Sequence, residues 1–124
     1  MPQPLVWVKV KSTGEVPTPR SGHTITTVGK YNILFGGLEA PKNESKILPN
    51  NQVYTLRMVG NNCEWRLVPC GGDAPLPRTK HAACAISQDK LFIFGGHYTS
   101  TLRFNDAYIL RTSKNYPSPH LTTS

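Results

Sequence analysis

The chain carries the same stretch twice. Residues 7–23 read WVKVKSTGEVPTPRSGH and residues 65–81 read WRLVPCGGDAPLPRTKH, so that Trp, Val, Gly, Pro, Pro, Arg and His recur at a constant offset of 58. The match resumes with slipped register: YNILFGG (31–37) answers KLFIFGG (90–96), and NQVYTLR (51–57) answers NDAYILR (105–111). Self-similarity at this period marks a unit that cannot bury its apolar face alone and stacks on copies of itself. Whatever the chain folds into must therefore place two equivalent units side by side.

The units are built of strands. Leu5–Lys11 is β-branched around Trp7 and reads as a strand, and Ser12-Thr13-Gly14 breaks it. Pro17 and Pro19 hold the next stretch extended. His23–Val28, Tyr31–Phe35, Gln52–Val59 and Glu64–Val68 are strands punctuated by Gly29-Lys30, Gly36-Gly37 and Gly60-Asn61-Asn62. After the second Pro-containing connection, His81–Ile86, Lys90–Phe94 and Asp106–Arg111 repeat the first three. No stretch keeps the i, i+3, i+4, i+7 apolar spacing of a helix for more than a turn.

The grading of side-chain size then separates a radial array from a sandwich. Thr24, Thr26 and Thr27, and in the second unit Ala82, Ala83, Cys84 and Ala85, are small and lie on each unit's first strand. Tyr54, Trp65 and Tyr108 lie on later strands. Strands near the axis of a propeller have little lateral room, while outer strands splay and need filling. The expected class is all-β, with four-stranded antiparallel meanders arranged as blades of an incomplete ring.

These residues resemble a kelch repeat. The double glycine closing the second strand, the aromatic on the third and the Trp on the fourth stand here as Gly36-Gly37, Tyr54 and Trp65, and again as Gly95-Gly96 and Tyr108. The lead-in Pro-Arg-x-x-His is similar too, at Pro19 to His23 and Pro77 to His81. The resemblance runs from Trp7 to Arg111 and implies a β-propeller serving as a protein-interaction platform. Arg20, His23, Arg78 and His81 are then repeat positions, read first as donors tying the connecting loop to neighbouring backbone and second as ligand contacts.

The ends do not match. Tyr54 precedes Trp65 by eleven residues, and the same spacing from Tyr108 falls on Pro119 in the polar stretch KNYPSPHLTTS. Expected boundaries are an outer strand of a split blade at 5–11, a first repeat at 12–69, a second repeat at 70–111 lacking its fourth strand, and a polar tail at 112–124. This suggests a piece of a larger propeller adaptor, or alternatively of the kelch regulatory domain of a multidomain enzyme such as a kelch-phosphatase. Self-association is expected through the unpaired edges, with Leu5–Lys11 of one molecule adding to Asp106–Arg111 of another.

Topology brings the lead-in and the loop between second and third strands to one end. The candidate partner-binding residues there are Arg20, Lys42, Lys46, Arg78, Lys80, His97 and Arg103, with another protein as the expected partner. The formal charge of +7 does not point to nucleic acid, because the fourteen basic residues are scattered singly. No apolar run reaches the length of a membrane-spanning helix, and no membrane partner is expected. No phosphate loop, nucleophile elbow or metal-ligand spacing occurs, so neither catalysis nor a cofactor is expected. Three cysteines and no recognisable secretory leader suggest an intracellular protein, cytoplasmic or nuclear. Cys84 is expected to be buried among alanines, and Cys70 to be reactive.

Overall fold

A computed structural model describes residues 3–40 and 46–113; Lys42 and the tail from 114 onward lie outside the described residues. In chain order the strands are β1 (Lys11–Gly14), β2 (Arg20–Ser21), β3 (Thr24–Val28), β4 (Tyr31–Phe35), β5 (Leu38–Glu39) and β6 (Leu48–Pro49). They continue as β7 (Val53–Val59), β8 (Asn62–Val68), β9 (Ala82–Ser87), β10 (Lys90–Phe94) and β11 (Ala107–Arg111).

Two blades result. The first is the antiparallel meander β3-β4-β7-β8, with β1 added in parallel outside β8. The second is the antiparallel β9-β10-β11. Alternation drives this: β3 half-buries Thr24 and Thr26, fully buries Val28, and exposes Ile25 and Thr27. The core lies between the blades, where Val28, Ile33, Phe35 and Val53 meet Leu91 and Ile93, flanked by Ala83 and Leu110. The architecture is all-β, and the described residues form two adjacent blades of a propeller.

Three features depart from the sequence reading. Residues 5–10 are exposed and in no strand, and pairing begins only at Lys11. Period-2 patterning qualifies a segment as a strand but does not supply it with an edge, and the outer edge of β8 is taken by β1. Second, the stretch read as connection and loop contains a small sheet, β2-β5-β6. Two-residue strands leave no periodicity to read.

Third, Cys84 is exposed and Cys63 is the buried thiol. Cys84 does lie on the innermost strand, opposite Phe92, but on the face of the second blade turned away from the first. Small size fits a residue to the axis; only a neighbouring blade covers it. With the chain monomeric by light scattering, a maleimide probe should label Cys70 and Cys84 well before Cys63. Protection of Cys84 equal to that of Cys63 would contradict the open face.

Candidate functional site

The most constrained group at the loop end is Arg78, which has no exposed surface. Its Nε donates to the Leu76 carbonyl (3.0 Å) and its Nη1 to the Gly95 carbonyl (3.0 Å), while Asp106 accepts from both terminal nitrogens. The guanidinium lies 4.1 Å from the centre of the Phe104 ring and 5.5 Å from that of Tyr108. A fixed planar fork meeting a carboxylate two-pronged is what lets such a charge be buried. Arg78 holds the Asp106 carboxyl below its ordinary range, chiefly by hydrogen bonding.

Arg20 repeats the arrangement in the first blade. Its Nε reaches the carbonyl two residues back (Thr18, 3.2 Å), its Nη1 the Gly36 carbonyl (3.3 Å), and its guanidinium faces Tyr54. The counterion differs. Gln52 stands where the second blade has Asp106, and Glu39 on β5 pairs with Arg20 instead (3.5 Å). The Arg20 side chain is 3% exposed. Both arginines therefore act on their own blades, and their expected role as partner contacts is withdrawn: a guanidinium with its donors committed beneath the surface has nothing to offer a second protein.

Glycine is needed where the arginine and histidine close over the strand end. Gly36 has φ +72, and a Cβ on it would sit 2.8 Å from the His81 ring and 2.9 Å from the Arg78 carbonyl. His81 is buried, edge-on to Phe35, with Nε2 2.8 Å from the Thr24 hydroxyl. It thereby joins the two blades. Burial, then the nearby Arg78 and His23, lowers its pKa to about 4. The equivalent His23 is exposed, because no blade precedes the first among the described residues. Trp7 is likewise exposed, whereas Trp65 is half-buried and donates to the Ser12 hydroxyl (3.2 Å).

Around these anchors the backbone is sewn into one surface. Arg78 donates to the Asn50 carbonyl, Gly37 to the Arg78 carbonyl, and Thr79 and His97 exchange a pair of bonds at 3.0 Å. His97 bridges onward to Arg103. The exposed cations brought to this end are Lys46, Lys80 and Arg103, beside a half-buried His97. Lys80 is singular: it holds φ +58 and is the one non-glycine residue with positive φ among the described residues. The first blade has Gly22 at that place, φ +76. The strain is sustained by the Lys80 amide, which donates to the Gly22 carbonyl at 2.8 Å. The sequence pattern places these residues at one end of the molecule but does not distinguish a buried arginine from an exposed one.

Among the described residues no cluster of His, Cys, Asp and Glu could hold a metal ion, and no helix is long and apolar enough to cross a membrane. The family model described as KLHDC2/KLHL20/DRC7 Kelch-repeats domain matches residues 2–116. The chain is 33% identical over 85% of its length to "Dynein alpha chain, flagellar outer arm" of Chlamydomonas reinhardtii, of which it covers 2%. It is 38% identical over 73% of its length to "Dynein regulatory complex subunit 7" of the same organism, covering 7% of that protein. To "Kelch domain-containing protein 2" of Bos taurus it is 31% identical over 89% of its length, covering 25%. It thus spans a quarter or less of the length of each of these relatives.

Two outcomes follow from the geometry. Arg78→Ala leaves Asp106 without its partner and three carbonyl and carboxylate acceptors without a donor. Because the Asp106 side chain keeps 37% of its surface in water, the cost in chemical denaturation should fall at or below the lower end, about 3 kcal/mol, of the range for breaking a buried pair. Arg57→Ala, which removes the exposed pair with Glu64, should cost less than about 1 kcal/mol. For His81, the unfolded chain takes up a proton near pH 6.5 while the folded chain resists until about 4. Its contribution is therefore complete above 6.5 and falls away as the pH drops through that window. Thermal scans should show this slope, and His81→Phe should flatten it; the Asp106 contribution is lost only below its ordinary value of 3.8.

Proposed function

The chain belongs to the kelch-repeat family, and from that premise we propose that it contributes a docking surface to a larger propeller adaptor, engaging its protein partner through Lys46, Lys80, His97 and Arg103. Kelch-repeat domains are generally non-catalytic interaction modules, which accords with a chain read as carrying no chemistry of its own. The observation that carries the choice of surface is Lys80. A lysine held in a left-handed conformation at an exposed loop, where the sister repeat has glycine, is a strain the fold alone does not need.

The loops support the same end. The segment between β4 and β7 is five residues longer than its counterpart between β10 and β11, and loops carried on a rigid scaffold are where binding resides. The surrounding charge favours an acidic partner surface. Three free cysteines support placing the protein inside the cell, in the cytoplasm or nucleus.

Affinity purification of the tagged chain tests this. Lys80→Glu combined with Arg103→Glu should reduce the recovery of its specific partners at least tenfold, while Lys30→Glu combined with Arg57→Glu, at the opposite end, leaves recovery unchanged. Equal loss from both variants, or from neither, in proteins with unaltered circular dichroism, would sink the assignment.

A further inference from the structure

The loops at the docking end differ in charge as well as in length. The first blade's loop begins with β5, where Glu39 pairs with Arg20 and accepts from the Thr18 hydroxyl. The repeat puts Tyr98 at the position of Glu39, since Gly95-Gly96 answers Gly36-Gly37 and the Thr79–His97 bridge answers the Ser21–Leu38 pair. No Asp or Glu occurs from residue 90 to residue 105, and Asp106, the next acid, is committed to Arg78. The second blade's loop end therefore presents Lys80 and Arg103 with no carboxylate of its own to balance them.

At the tip of this loop stand three consecutive hydroxyl side chains, Thr99, Ser100 and Thr101, all exposed. Two backbone bonds close the loop below them, from Phe104 to the Gly96 carbonyl and from Tyr98 to the Leu102 carbonyl, each 2.9 Å. Thr99 uses its oxygen inside the turn, accepting from the amides of Thr101 (3.3 Å) and Leu102 (3.0 Å). The Thr101 hydroxyl lies 3.2 Å from the same oxygen. Ser100 is different. Its hydroxyl makes no hydrogen bond among the described residues, so the turn does not depend on it. The Ser100 carbonyl accepts from Arg103 Nε at 3.3 Å. That bond anchors the guanidinium at Ser100 and leaves both of its terminal nitrogens without a partner among the described residues. A planar fork with uncommitted donors is the arrangement that takes a phosphate two-pronged.

We propose that Ser100 is a phosphorylation site, and that its phosphate, held by Arg103, turns off the docking surface at this end. The proposal rests on the reading of that surface as a site for an acidic partner. In the transfer step, Ser100 Oγ attacks the terminal phosphorus of a nucleoside triphosphate held by a protein kinase. The new O–P bond replaces the bond to the bridging oxygen, the nucleoside diphosphate departs, and the hydroxyl proton passes to the kinase's base. The product carries a charge of about −1.5 to −2 at neutral pH. That exceeds the single charge of Arg103, so the tip changes sign. An acidic partner then meets like charge where it had met a cation. Phosphate on Thr99 would load the oxygen that two amides of the turn already use, and Thr101 is paired to that oxygen. Ser100 takes the group without rebuilding the loop.

The test begins with the chain as cells make it, isolated with phosphatases inhibited and digested with trypsin. Cleavage after Lys90 and Arg103 yields the peptide 91–103, and fragmentation should place a phosphate on Ser100. An unmodified peptide, or phosphate on Thr99 or Thr101 alone, overturns the proposal. The 124-residue chain with phosphoserine incorporated at position 100 is then titrated by phosphorus NMR. An isolated phosphoserine loses its second proton near pH 6. In the folded chain the midpoint should lie at least about half a unit lower, and Arg103→Gln should return it. A midpoint that Arg103→Gln leaves unmoved overturns the capture. Partner recovery separates the switch from the docking reading beneath it. The phosphoserine chain should recover at least about tenfold less than the unmodified chain, while Ser100→Ala recovers as much as wild type. If Lys80→Glu/Arg103→Glu abolishes recovery and phosphoserine does not, the switch is wrong and the docking surface stands. If neither lowers recovery, the docking reading fails and the switch falls with it.

Discussion

Everything at the loop end depends on placing a full positive charge where water cannot reach it. Arg78 achieves this because the guanidinium has an assigned neighbour for each of its donors and its charge: carbonyls at the strand end, the Asp106 carboxylate, and the nearby Phe104 and Tyr108 rings. The electrostatic gain of such a pair barely offsets its desolvation, so its value lies in specificity. The lead-in carbonyl of Leu76, the strand-end carbonyl of Gly95 and the Phe104 and Tyr108 rings all meet at this one group. The Pro residues before Arg20 and Arg78 serve the same end by removing alternative extended paths before the arginine arrives.

The first blade shows how much of that solution is general and how much is negotiable. Arg20 keeps the contacts to backbone and to the tyrosine but replaces the in-plane aspartate with a glutamate from β5 and the Asn50 amide. The carbonyls and the ring are dictated by strand geometry, and the counterion is not. This explains the small sheet β2-β5-β6: the segment carrying Glu39 must be pinned beside Arg20, and Arg20↔Glu39 is one of the pairs that defines it.

What could be read in the sequence was what repeats. The meander strands begin and end within two residues of where turn chemistry placed them, and the glycine pairs, Arg and His stand at the strand ends. What could not be read was what depends on a neighbour. His23 and His81, or Trp7 and Trp65, are interchangeable as letters, yet one of each pair is covered and the other is not. Cys84 illustrates the same limit, since its small size is correct for an axial strand and silent about whether another blade lies beyond it. The parallel pairing of β1 with β8 was hidden for a different reason: KSTG carries no apolar alternation, and it is held by backbone bonds and the Ser12–Trp65 contact instead.

The backbone seam between the blades has a mechanical meaning. Residues 78 and 79 donate to, and accept from, the loops of both blades at once, through Asn50 and Gly37 on one side and His97 on the other. The lead-in of the second blade is thus a shared rafter rather than a tether. Force applied to either loop is borne by the same short segment, whose neighbouring residue is the strained Lys80. The two loops cannot tilt independently without breaking these backbone hydrogen bonds, so a ligand pressing on one loop meets the stiffness of both.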